Sequence, residues 1–311
     1  MNLPAGVLAQ PAAHATFDDW MRSRAAAFET AAAAALPPAD RIPERLHQAM
    51  RYAALGGGKR VRPLLAYAAA ELSSAADRQQ PGAAAHSVAL AVEFVHVYSL
   101  IHDDLPCMDD DVLRRGKPTV HVAFDEATAM LAGDALQAEA FRVLADAPLA
   151  AELRAQLVSM LAGAASTAGM CGGQAIDLAA VGRRLTIDEL EQMHRMKTGA
   201  LLAAAVRMGA AATGAEALAT AAAEAYGRAL GLAFQIVDDV LDVEGTAESL
   251  GKTAGKDARG NKPTYVSVLG LAAAKARAAQ LHREALAALA TLGERARRLR
   301  ELADYIAGRS S

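Results

Sequence analysis

Two groups of aspartates stand out by their spacing. In the stretch LIHDDLPCMDDDVLRRGKPTVH, residues 100–121, five of them (Asp103, Asp104, Asp109, Asp110 and Asp111) occupy nine positions at the end of an apolar run. Carboxylates crowded at a buried helix end repel one another and resist desolvation, so the cluster needs either bulk water or a bound cation. Arg114, Arg115 and Lys117 follow directly. Hard oxygen ligands beside guanidiniums suit a Mg²⁺–phosphate site, in which carboxylates hold the metal and the basic pair clamps an oxyanion. A solvated acidic loop is the plainer alternative.

The second group makes that alternative hard to keep. FQIVDDVLD, residues 234–242, sets Asp238, Asp239 and Asp242 on a mostly apolar helix. Asp238 and Asp242 share one face about 6 Å apart, a spacing at which like charges destabilise a helix unless neutralised. No Lys or Arg lies between Arg228 and Lys252, so a metal shared with the first cluster is the simplest partner. Within the first cluster, Asp103 and Asp109 would point about 120° apart on an unbroken helix. Pro106 interrupts it, which lets the chain bulge and the two converge. Spacing alone does not choose among Asp109, Asp110 and Asp111 as the second ligand.

Basic residues supply the complementary charge. GGGKRVRP, residues 56–63, carries Lys59, Arg60 and Arg62 between two helices and lacks the spacing of a nucleotide P-loop. Lys197-Thr198-Gly199 interrupts an apolar helix. Lys252, Lys256 and Lys262 punctuate a Gly-rich loop after the second aspartate group. Gly172-Gly173-Gln174 followed by Asp177 reads as a helix kink with a polar satisfier. His96 lies two turns before Asp103, on roughly the same helix line.

These residues must be positioned by helices. Of 311 residues 53% are hydrophobic but only 4% aromatic, and the excess is alanine, the best helix former. Helices are expected over residues 17–36, from Pro43 to the glycines at 56–58, from Pro63, and over 83–104, 125–146, 149–170, 187–212, 215–243, 264–290 and 293–306. Thr186 with Glu189 forms a capping box. No strand pattern, fixed repeat or linker is visible, so we read a single all-α domain, a large helical bundle. A net charge of −3 argues against general nucleic-acid binding. No run approaches the roughly 18–20 apolar residues of a membrane span. Residues 1–16 read as a frayed leader, because Ala13-His14-Ala15 lacks the basic and apolar regions of a secretory signal. Two cysteines cannot staple such a chain, which suggests a reducing cytoplasmic setting.

Taken in order along nearly the whole chain, these motifs resemble the trans-isoprenyl diphosphate synthases of the bacterial farnesyl type. DDxxxxD is Asp103–Asp109 followed by Arg114-Arg115, and DDxxD is Asp238–Asp242; GGKRVRP, GGQAIDL, KTG, FQIVDD and LGK stand in the family's order. The resemblance implies a homodimeric all-α bundle around a central cavity with three Mg²⁺ ions. It implies head-to-tail prenyl transfer, in which an allylic diphosphate ionises, isopentenyl diphosphate attacks and a proton is lost to the departing diphosphate. By the same resemblance Asp103, Asp109 and Asp238 bind Mg²⁺, while Arg114, Lys197 and Lys252 hold the allylic diphosphate. Lys59, Arg62, His96 and Arg115 hold isopentenyl diphosphate, and Thr198 and Gln235 place neutral oxygens near the carbocation. Tyr98, about 7.5 Å below Asp103 along the helix, becomes the cavity floor that stops growth at C15.

Geranylgeranyl or geranyl diphosphate synthesis is the alternative within that family. A metal-dependent phosphohydrolase, prompted by His102-Asp103, needs further His ligands at helical spacing, and His121 and His194 supply no obvious set.

Overall fold

The structure, a computed structural model, describes residues 16–73, 81–244 and 263–308. Lys252, Lys256 and Lys262, and all of the expected leader except Thr16, lie outside the described residues.

Helix α1 (Phe17–Ala35) is capped by Thr16, whose hydroxyl oxygen accepts the Asp19 N–H at 3.1 Å, and it ends before Pro37-Pro38. Helix α2 (Glu44–Ala54) follows Pro43. Helix α3 (Val61–Ala70) begins two residues before the expected start at Pro63. Pro63 therefore sits in the first turn, where its missing N–H costs nothing. Helix α4 (Pro81–Asp103) runs through the middle of the bundle. Val88, Ala89, Val92, Phe94 and Val95 are fully buried on it, as expected of a helix apolar on every side. By length and composition α4 could cross a membrane, but it is mostly buried inside the protein.

After a short helix α5 (Val120–Ala123), α6 (Glu126–Ala145) packs along α4, flanked by Asp125 and Asp146 as its caps. The helix expected over 149–170 is present but ends five residues early. Helix α7 (Ala151–Ala165) stops at Ser166, and α8 (Met170–Ala180) starts afresh, carrying the GGQ residues inside it rather than at a kink. Helix α9 (Ile187–His194) opens on the expected Thr186–Glu189 capping box. It continues through a π-helical turn, Arg195–Gly199, into α10 (Ala200–Ala212). Helix α11 (Ala217–Glu244) carries the second aspartate group. The region expected as one helix over 264–290 breaks at Gly270, whose φ of 80° no helix tolerates, into α12 (Tyr265–Leu269) and α13 (Leu271–Ala288). A 3₁₀ turn over Ala290–Ala296 leads into α14 (Arg297–Ala307).

Buried apolar side chains form a large core around α3, α4, α6 and α10, and a smaller one of Leu190, Met193, Leu232, Ile236, Val240 and Tyr265. The smaller core seats the aspartate-bearing half of α11 against α9, α12 and α13.

Two histidines are buried in these cores without charge. The Tyr67 hydroxyl lies 2.6 Å from His86 Nδ1, and burial, then Arg24, push His86 down to about 4. Burial does the same to His194, which also falls to about 4. An unfolded chain protonates such residues first, so their contribution is complete above about pH 6.5 and is lost as pH falls toward 4. His86→Gln, which keeps an acceptor for Tyr67 but cannot take the proton, is expected to flatten the fall of the thermal midpoint across that window. Equal slopes for variant and parent would exclude His86 from the effect.

Candidate active site

Beyond α4 the chain doubles back on itself. The Asp109 N–H donates to the Asp103 carbonyl at 2.8 Å, and the Asp111 N–H to the Asp104 carbonyl at 3.2 Å. This is the bulge that Pro106 permits, and it separates carboxylates that the sequence leaves equivalent. Asp104, 3% exposed, accepts both Nε at 2.9 Å and Nη2 at 2.5 Å from Arg114, with Asp111 3.9 Å from the same guanidinium. Asp110 points to solvent with φ 50°. Asp103 and Asp109 form the other pair. Burial, reinforced by Asp109 and Asp104, pushes Asp103 up to about 6 despite the opposing pull of Lys197 and Arg114.

A two-residue ladder that the sequence pattern does not announce directs the arginines. Strands β1 (Leu113–Arg114) and β2 (Lys117–Pro118) pair antiparallel around Arg115 and Gly116, whose φ values of 52° and 74° give a type I′ turn. The turn sends the neighbours apart. Arg114 reaches in to Asp104, while the Arg115 guanidinium donates to the Gly57 carbonyl. Between α2, α4 and this hairpin opens a small cleft, with Gly56, Val97 and Arg115 on its wall.

The loop before α3 is also sorted. Arg60 turns inward on a left-handed backbone, donating to Glu29 at 2.7 Å, Glu93 at 2.9 Å and the Ala54 carbonyl at 2.7 Å. It braces α1, α2 and α4, with Nε, Nη1 and Nη2 each engaged by structure. Lys59 is left exposed and Arg62 half-buried. Burial, then the charges of Arg62, Arg115, Arg114 and Arg60, holds His96 well below its ordinary value. A neutral imidazole thus stands within a ring of cations, a setting made for an anion. Three of the four residues assigned to isopentenyl diphosphate, Arg62, His96 and Arg115, are therefore together, and Lys59 borders the same loop.

The π-turn supplies the other side. A Cβ on Gly173 would come within 2.1 Å of the Lys197 backbone nitrogen, and one on Gly231 within 2.8 Å of the Gly199 Cα. Only glycines let α8 and α11 close on the turn this tightly. The widened turn presents Lys197 and Thr198, as π-turns at functional sites do. Lys197 Nζ donates to the buried Asp177 at 2.5 Å and lies within electrostatic reach of Asp103. The Thr198 hydroxyl donates to Gln235 Oε1 at 2.9 Å, Gln235 Nε2 donates to Asp239 Oδ1 at 2.9 Å, and Asp239 Oδ2 accepts the Tyr265 N–H at 2.8 Å. Because an ionised carboxylate only accepts, Asp239 fixes the Gln235 amide and so the direction of the Thr198 proton.

Asp239 thus accepts from neutral donors of its own helix and of α12. Asp238 is half-buried and Asp242 is 6% exposed on the face beside it. Tyr98 is 5% exposed, its ring edge-on to His102 at 5.8 Å. Sequence reasoning missed the roles of Asp177 and Asp239, although Asp177 was visible as a polar satisfier and the glycine pairs signalled close approach.

The all-oxygen donor set fits Mg²⁺, and Asp103, held near 6, is a carboxyl short of positive charge. Among the described residues no three His, Cys, Asp or Glu side chains gather closely enough to hold an ion alone. Mg²⁺ commonly takes one or two carboxylates and completes its shell from substrate phosphates and water. Among the described residues no histidine set for a phosphohydrolase forms: His102 Nε2 is 3.0 Å from the Met130 carbonyl, His121 Nδ1 is 3.2 Å from the Thr119 hydroxyl, and His194 stacks on Tyr265.

This all-α bundle with paired aspartates and a cation ring has close counterparts. Residues 43–302 match the polyprenyl synthetase family model. The chain is 49% identical over 287 residues to a probable farnesyl diphosphate synthase of Sinorhizobium fredii, covering 91% of this chain and 85% of that one. An FPP/GFPP synthase from Zymomonas mobilis is 41% identical with a TM-score of 0.81, covering 94% and 99%. A geranyltransferase from Helicobacter pylori, solved with magnesium and isoprenyl diphosphate, is 33% identical with a TM-score of 0.83, covering 95% and 98%. The chain belongs to the polyprenyl synthetase family.

The two neighbouring aspartates of α11 are expected to behave differently. Asp239→Ala removes the acceptor for Gln235 and for a buried backbone N–H, and should cost about 2–4 kcal/mol in chemical denaturation. Asp238→Ala, at a half-buried side chain, should cost less. Similar losses at both positions would refute the division.

Proposed function

We propose that this chain is a single-domain prenyltransferase that condenses isopentenyl diphosphate with dimethylallyl or geranyl diphosphate to give farnesyl diphosphate (C15) and diphosphate. The observation that carries the reading is the Thr198–Gln235–Asp239 chain next to Lys197 and Asp103. Such chemistry needs positive charge at a departing anion, with neutral oxygens facing the carbocation it leaves behind. A family relative crystallised with magnesium and isoprenyl diphosphate supports it.

Asp103, Asp109 and Asp238 would hold Mg²⁺, three ions per site, and the bound metal supplies charge neutralisation on the leaving diphosphate. Arg114, Lys197 and Lys252 bind the allylic diphosphate, Lys197 turning from Asp177 and Arg114 held ready by Asp104. Lys59, Arg62, His96 and Arg115 hold isopentenyl diphosphate, so that its double bond attacks the allylic carbon as the C–O bond breaks. Thr198 and Gln235 stabilise the carbocation through lone pairs, since their protons are engaged elsewhere. The departing diphosphate takes the proton that completes the new double bond. Tyr98 closes the chain-growth pocket.

The exposed Met130 and Leu131 on α6 offer an apolar face to a second copy, in keeping with a homodimer. Two free cysteines accord with a reducing cytoplasmic setting.

Incubation with dimethylallyl and isopentenyl diphosphates plus Mg²⁺ should give a C15 product. A product of C20 or C10 would overturn the length assignment, and phosphate release from nucleotides without condensation would overturn the reaction class. Lys59→Ala should raise KM for isopentenyl diphosphate well above its effect on the allylic substrate; equal effects would remove Lys59 from that subsite. Tyr98→Ala should lengthen products to C20 or beyond, read by chromatography.

A further inference from the structure

A floor works only if it stays put. Tyr98 is anchored to α4 at its Cα, and its ring is flanked by the edge of His102 one turn on. Neither contact fixes the far end of the ring, which a growing prenyl chain would push. That end carries the hydroxyl, and the hydroxyl meets α8: Tyr98 Oη lies 3.6 Å from Cys171 Sγ, within the range of a hydrogen bond to sulfur. Gln137 of α6 bears on the same hydroxyl.

Cys171 is not there to fill the core. Free cysteines are among the most buried residues, whereas Cys171 is exposed and its sulfur is directed to a nearly buried phenol. It is also carried on a rigid mount. Gly172 abuts the Thr167 carbonyl and Gly173 abuts the Lys197 backbone, so the first turn of α8 is pinned against the π-turn. A tether from Cys171 to Tyr98 therefore joins the floor to the element that presents Lys197 and Thr198.

We propose that Cys171 is a positioning residue for product length: its thiol holds the Tyr98 hydroxyl and keeps the ring across the pocket. The inference rests on the reading of Tyr98 as the floor. A hydrogen bond of this kind shifts the balance between a closed and an open ring by about two- to tenfold, and product ratio reports that balance directly.

The test compares C20:C15 ratios for Cys171→Ala, Cys171→Ser, Tyr98→Phe and the double variant Tyr98→Phe/Cys171→Ala, with Tyr98→Ala as the control for the floor. Each is assayed on dimethylallyl and isopentenyl diphosphates and normalised to total turnover. Cys171→Ala and Tyr98→Phe should each raise the ratio about two- to tenfold. The double variant should go no further than Tyr98→Phe alone, because Tyr98→Phe already removes the contact that Cys171→Ala removes. Cys171→Ser, which restores a hydroxyl partner, should stay near the parent. A parental ratio in Cys171→Ala beside a lengthened product in Tyr98→Ala would overturn the tether and leave the floor standing. Unchanged C15 in Tyr98→Ala would overturn the floor itself. Additive effects in the double variant, or a serine variant as permissive as the alanine one, would overturn the hydrogen bond as the cause.

Discussion

Three backbones meet at the π-turn Arg195–Gly199, packed through glycine on two sides. Gly173 of α8 lies against the Lys197 main chain and Gly231 of α11 against Gly199. Side chains at either position would force the helices apart, and every functional contact on that side depends on the closeness. Lys197 reaches Asp177 because α8 is in contact, and Thr198 reaches Gln235 because α11 is. The alanine-rich composition is the same solution spread over the bundle, since small side chains let helices approach and leave the chemistry to a few long polar ones.

The second organising constraint is electrostatic. Asp103 and Asp104 are adjacent in sequence, and about 100° of helix rotation separates their fates. Asp104 faces Arg114 and is neutralised by structure; Asp103 faces Asp109 and Lys197 and is held near 6 by burial. Arg60 and Arg62 also part ways, one turned inward to Glu29 and Glu93, the other standing beside His96. A net charge of −3 is thus a sum over opposed local charges that the fold places differently.

Helices whose boundaries are local were legible in the sequence: α1 by Thr16 and the proline pair, α6 by its aspartates, α9 by its capping box. So were the two aspartate groups, because carboxylates at helical spacing on an apolar face need an explanation wherever they occur. What Gly173 packs against was not legible, because its partner, the Lys197 backbone, lies more than twenty positions away. The hairpin was hidden as well, because its turn demands positive φ at Arg115, a residue that carries no such signal. The different surroundings of Asp109, Asp110 and Asp111 depend on the doubled-back backbone, in which the Asp109 N–H meets the Asp103 carbonyl, and spacing counts cannot supply that.

Asp238 and Asp239 show most clearly why types and spacing stop short of roles. A reaction that passes through a carbocation needs anionic ligands for metal near the leaving group, yet a carboxylate turned on the cation would capture it. Helix α11 places two consecutive aspartates differently with respect to those needs. Asp238 is half-buried on one face, whereas Asp239 is turned into the smaller core, where the Tyr265 N–H and the Gln235 amide occupy its two oxygens. What reaches the site from Asp239 is only its effect, relayed through Gln235 to the hydroxyl of Thr198. The carboxylate stabilises the orientation of two neutral oxygens while its own charge stays out of reach, and the helical offset between neighbouring residues is sufficient to produce that separation.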